Sequence, residues 1–118
     1  MSRILHDIET RDDFKKLLTE NRVVVIKASA IWCNPCKKIA PYVDDLFKQL
    51  PSNVYLICLD VDEGEDLSTF LRIRKLPTFI SFVGEDKMDI LESANPDNVK
   101  KFFQKVKLHA DLLRKIKK

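Results

Sequence analysis

Glycine is nearly absent from this chain, with two residues, Gly64 and Gly84, among 118. Phosphate-cradling loops and dinucleotide fingerprints need two or three glycines close together, where backbone must approach phosphate, so nucleotide chemistry of those kinds is excluded. Long apolar runs are lacking too. The longest, such as Val23 to Ile26, fall far short of the roughly 20 residues that span a bilayer, so no membrane partner is expected. The segment Met1 to Asp7 has neither a basic leader with an apolar stretch nor a small-residue cleavage site, and a cytoplasmic protein is expected. Cysteine is sparse and odd in number: Cys33, Cys36 and Cys58. Three cannot make a fully paired framework, and the distant His6 and His109 cannot complete a Cys/His zinc site, so no metal is expected. The cysteines must be chemistry or core.

What is present suffices for one packed domain: 45% of residues are apolar and 33% charged, close to ordinary globular usage. Charge is uneven along the chain. Lys100 to Lys118 holds eight basic residues and one acidic, a net of +7, leaving −4 on the first 99 residues. The ordinary reading is a solvated helix face with cations near its C-terminus; an acidic partner is the alternative. Nucleic acid is disfavoured because Ala110 to Lys118 contains no aromatic residue.

Thr10 and Asp13 resemble a capping box, followed by Phe14, Leu17 and Leu18 at helical spacing, which predicts a short helix ending near Glu20. Val23 to Ile26 is β-branched without alternation, as in a central strand buried on both faces and parallel to a neighbour. A helix is predicted from Pro35, with Ile39, Val43, Leu46, Phe47 and Leu50 as its stripe and Pro41 as a kink. Val54 to Leu59 reads as a second strand, Asp60 to Asp66 as an acidic turn, and Leu67 to Leu71 as a short helix. Thr78 to Val83 and Lys87 to Leu91 read as a hairpin. Asn95-Pro96 opens a last helix through Val99, Phe102, Phe103, Val106, Ala110 and Leu113. Strands alternating with helices and ending in a hairpin predict an α/β fold, a central mixed sheet flanked by helices on both faces. The acidic turn is no calcium loop, because Gly64 falls where an EF-hand needs a ligand.

The sharpest feature is Trp32-Cys33-Asn34-Pro35-Cys36, where a buried strand hands over to a helix. Cys33 at the helix N-terminus meets unpaired backbone N–H groups and the positive end of the macrodipole, both of which favour thiolate. It is expected to be the exposed, attacking sulfur. Cys36, one turn further, is expected to be more buried and to resolve the mixed disulfide. Two unrelated core cysteines are the bland alternative.

Val23 to Pro41, with the lysine after the second cysteine and the kinking proline, closely resembles the active-site strand and helix of thioredoxins. Leu76-Pro77-Thr78 is a second match. The resemblance covers about residues 4 to 108 and implies a thioredoxin fold, with residues 1–109 as the domain and 110–118 as a basic helical extension. It also implies that Pro77 follows a cis bond and, with Leu76, holds the substrate strand. Protein disulfides would be the substrates of a monomer, a thioredoxin-reductase-type protein the electron donor, and no cofactor would be needed.

The chain also departs from that family. Lys27 stands where thioredoxins carry a buried Asp six residues before the nucleophile, and Cys58 where its accompanying lysine lies. A cation beneath the disulfide would favour thiolate and a more oxidising couple, whereas burial would oppose the charge. The alternatives are that Lys27 snorkels to solvent and that Cys58 is a small apolar strand residue. Ser29 replaces a site-facing Trp, while Lys75 and Ser93 replace glycines of the substrate groove, which predicts a more polar and basic rim. The expected function is thiol–disulfide exchange through Cys33 and Cys36. A disulfide oxidase or isomerase of higher potential, and a redox-independent binding subunit, are the alternatives.

Overall fold

Strand β2 (Val23–Ser29) organises the sheet. Val23 and Val25 face one core, Val24 and Ile26 the other, and all four are wholly buried. An unbroken apolar run therefore became a central strand, because alternate side chains serve opposite layers. The computed structural model describes residues 2–20 and 22–116. Around β2 lie β1 (Ile4–Leu5), β3 (Val54–Asp60), β4 (Thr78–Val83) and β5 (Asp86–Leu91), in the order β1-β3-β2-β4-β5. β2 is parallel to β3 and antiparallel to β4, and β4 is antiparallel to β5, so the sheet is mixed.

Helices α2 (Asn34–Lys48) and α4 (Pro96–Ile116) cover one face through Ile39, Val43, Phe47, Val99, Phe103 and Val106. Phe79 of β4 is fully buried there, its ring centroid 5.9 Å from that of Phe102 and 6.0 Å from that of Phe103. Helices α1 (Arg11–Leu18) and α3 (Glu65–Phe70) cover the other face through Phe14, Leu17, Leu18 and Leu67. The Thr10 side chain caps α1 by accepting from the Asp13 N–H at 3.2 Å. Pro41 lies inside α2, which continues past it for two turns because Val43 and Phe47 remain anchored in the core. No helix among the described residues is long and apolar enough to cross a membrane.

The sequence reading missed one strand and placed several element ends differently. β1 is an additional strand of two residues, too short to show a period; Ile4 pairs with Leu56, and the Arg3 guanidinium donates to Pro51 O and Val54 O, each at 3.0 Å. α2 starts at Asn34, so Pro35 is its second residue. β5 starts at Asp86, because Gly84, at φ 57°, and Glu85 suffice for the hairpin loop. α4 runs unbroken to Ile116: Ala110 is fully buried, its carbonyl accepts from Asn53 Nδ2 at 3.1 Å, and Leu113 packs on the core.

Candidate active site

The site forms where β2 ends and α2 begins. Cys33 is the N-cap of α2 in extended backbone, and its Sγ accepts from the Cys36 N–H at 3.3 Å. A helix start leaves its first N–H groups without partners, so this sulfur occupies the position where negative charge is best stabilised. One turn brings Cys36 back beside it, and the two form a disulfide with Cα atoms 5.4 Å apart. Asn34 and Pro35 fill the intervening turn and are exposed.

The expected contrast in exposure is not found. Cys33 is 4% exposed and Cys36 7%, because in the oxidised pair both sulfurs fold against Ala30, Val61 and Leu76. What stands out to solvent instead is Ile31, 74% exposed, and Trp32, 66% exposed. Trp32 is held by its indole N–H, which donates to Asp62 Oδ2 at 2.9 Å. Asp62 is fixed in turn, since Asp60 Oδ1 accepts from the backbone N–H groups of Asp62 and Glu63 at 2.9 and 3.2 Å. The acidic turn therefore holds Trp32 in place, a contact the sequence reading of this segment did not anticipate; the signal was an acceptor-rich segment following the strand next to β2.

The Leu76–Pro77 bond is cis. Pro77 is buried and lines, with Lys27, Cys36, Ile39 and Ala40, a cavity of about 300 Å³ beneath the disulfide. Thr78 Oγ1 donates to Lys75 O at 2.6 Å and shapes the turn ahead of the proline. Lys75 is exposed and Ser93 half-buried, with Ser93 Oγ accepting from the Asn95 N–H at 3.0 Å. Between them, Arg74 pairs with Glu92 at 3.0 Å, tying the loop before Pro77 to the segment that follows β5. That guanidinium, first by hydrogen bonding, holds the half-buried Glu92 carboxyl below its ordinary pKa. This link also escaped the sequence reading, because its partners lie 18 positions apart with no local pattern between them.

Lys27 and Cys58 are register partners across β2 and β3, on the face covered by α2. Both are half-buried. Lys27 also borders a second cavity, of about 520 Å³, with Cys58, His6, Glu9, Asp60 and Glu63. Burial pushes the Cys58 thiol pKa up, the nearby Lys27 charge draws it down, and Asp44 adds to the rise. Lys27, Ser29, Ile31 and Asp60 border both cavities. Among the described residues no three His, Cys, Asp or Glu side chains are grouped to hold a metal ion.

Comparison with known proteins agrees with this geometry. The thioredoxin family model matches residues 6–105. Thioredoxin-T of Drosophila melanogaster is 31% identical over 104 residues, 86% of this chain and 66% of that protein. Thioredoxin-2 of Pyricularia oryzae is 34% identical over 92 residues, 78% of this chain and 53% of that protein. The chain thus spans between half and two thirds of the length of these two relatives. Among solved structures, Fasciola hepatica thioredoxin superposes with a TM-score of 0.77 at 31% identity, covering 90% of this chain and all of that one. With Cys33 capping a helix, a cis proline lining the cavity beneath the cysteine pair and a match across most of its length, the chain belongs to the thioredoxin family.

Proposed function

We propose that this chain is a protein thiol–disulfide oxidoreductase, with Cys33 as nucleophile and Cys36 as resolving thiol. The observation that carries this reading is a disulfide whose first sulfur caps a helix N-terminus beside the loop of a cis proline. In the reduced protein, the Cys33 thiolate attacks one sulfur of a substrate disulfide, forming a mixed disulfide and expelling the other substrate sulfur as thiolate. Cys36, once deprotonated, attacks Cys33 Sγ and releases the second substrate thiolate, closing Cys33–Cys36. Two electrons pass to the substrate, and a dithiol donor of the thioredoxin-reductase type restores the pair. No cofactor takes part.

Placement supports the following roles around the pair. Leu76 and Pro77 support the substrate strand, Trp32 forms the rim, and Lys75 with Ser93 gives the groove a polar, basic side that suits acidic segments flanking the target disulfide. The active unit is a monomer, with residues 1–109 as the catalytic domain and 110–118 as its basic extension. Reducing, cytoplasmic surroundings suit a chain with one redox pair and one isolated cysteine. A second reading, a disulfide oxidase or isomerase, draws on Lys27: a cation lining the cavity beneath the disulfide stabilises thiolate and so raises the potential. Insulin reduction with dithiothreitol as donor tests the proposal. Activity should vanish in Cys33→Ser and fall severely in Cys36→Ser; an unchanged rate in Cys33→Ser would remove it.

A further inference from the structure

A further concave surface lies on the face of the sheet opposite α2 and α4. α1 and α3 cover that face only in part, leaving a groove of about 520 Å³ floored by Phe14, Leu18, Leu71, Ile80 and Phe82. Phe70, 39% exposed at the end of α3, also lines the groove, and the apolar surface continues beyond it to Ile90, 46% exposed and on the same sheet face, being the register partner of Ile80. A bulge in β5 adds Met88, also 46% exposed, so that Lys87 and Met88 together face Phe82.

The rim is cationic. Lys15, Arg72 and Lys87 border the groove against one acid, Glu85. None of the three cations has an ion-pair partner among the described residues, whereas Arg11, Arg22, Arg74, Lys105 and Lys107 do. Lys15 instead rests its ammonium 5.0 Å from the Phe70 ring centroid. Arg72 sits at φ 59°, a left-handed conformation that a residue bearing a Cβ adopts only at a cost.

We propose that this groove docks an acidic amphipathic helix of a partner protein, independently of the redox site. An apolar floor that continues past the groove to Met88 and Ile90 suits the side chains of a helix spaced i, i+3, i+4, and the free cations suit carboxylates along its edges. A second copy docked groove to groove does not fit, because it would bring two cationic rims together. The surface is also remote from the cysteines. β4 runs from Thr78, paired with Ala28 near the active site, to Val83, paired with Val23 at the far end, and the groove takes in Glu85 beyond it.

Fluorescence anisotropy with a labelled synthetic helix, leucines at i, i+3, i+4 and i+7 and glutamates elsewhere, tests the proposal. Binding should weaken at least about tenfold in the triple variant K15E/R72E/K87E, given three rim pairs, and persist in the Cys33→Ser/Cys36→Ser double variant. The same triple variant should reduce insulin at the unaltered rate, which separates this proposal from the one on catalysis. Ile90→Glu, a change on an exposed strand edge, should weaken binding without touching the rim charges. Amide shifts in the ¹⁵N spectrum should cluster at Phe70, Lys87 and Ile90. The proposal is overturned if no binding occurs, if the lysine-for-glutamate peptide binds equally, if the shifts centre on Trp32 and Leu76, or if dodecanoate occupies the groove and the peptide does not.

Discussion

Replacing Lys27 by methionine keeps much of the side chain's length and removes its charge from the cavity that Cys36 also lines. A sphere of the cavity's volume, about 300 Å³, is about 8 Å across, and at an effective dielectric constant near 20 a unit charge over that distance is worth about 2 kcal/mol. The half-buried setting of Lys27 makes that dielectric the suitable choice. The Cys33–Cys36 couple transfers two electrons, so about 2 kcal/mol corresponds to roughly 40 mV. With Lys27 charged, the thiolate of the reduced form is favoured; Lys27→Met should therefore lower the reduction potential by up to about 40 mV, and Lys27→Glu by up to about twice that. The full shift is expected where the nucleophile is ionised, and a smaller one below its pKa. Equilibration in glutathione buffers, read through the fluorescence of Trp32, the chain's single tryptophan, measures it. Potentials in both variants equal to the parent's within about 10 mV, across the pH range where the nucleophile ionises, would refute the reasoning and leave Lys27 as a side chain whose charge reaches solvent.

Three further outcomes follow from the packing. Phe79→Ala removes a fully buried ring in contact with Phe102 and Phe103, and should cost about 3–5 kcal/mol in urea denaturation. Thr10→Ala leaves the Asp13 N–H uncapped at the start of α1 and should cost about 1 kcal/mol by the same measurement. The Cys58 thiol, raised above its ordinary 9.0 chiefly by burial, favours its protonated form in the folded state. Its stabilising contribution is complete below about pH 9 and is lost as pH rises through the folded-state value. The urea midpoint should therefore fall less steeply between pH 8 and 10 in Cys58→Ala than in the parent, and iodoacetamide should label Cys58 more slowly in the folded chain than in the denatured one.

Sequence made some of this architecture readable because local chemistry and tertiary demand agreed. The unbroken Val23 to Ile26 run has one physical solution, a strand buried on both faces, and the resumption of the apolar stripe after Pro41 required α2 to continue. Cys33 and Cys36 were legible as a pair because their spacing is one helical turn. Other features depended on partners distant in the chain. β1 exists through its pairing with Leu56 and Ile57 and through Arg3, whose guanidinium also lies 4.7 Å from the Phe47 ring centroid. The Trp32 hydrogen bond to Asp62 spans 30 positions. Burial of Cys33 was misjudged because a helix N-terminus is ordinarily open to solvent, whereas here Val61 and Leu76 arrive from two other segments to close over the sulfur. Within the site, motif and placement were visible; the packing that covers the disulfide and the turn that holds the rim were not.

Trapping tests the proposed role of Cys33 as the attacking sulfur most directly. Reduced Cys36→Ser protein, mixed with a disulfide-bearing peptide and quenched in acid, should give one persistent mixed disulfide by mass spectrometry, with the peptide on Cys33. An adduct on Cys58, or none at all while the parent protein still reduces the peptide, would contradict it.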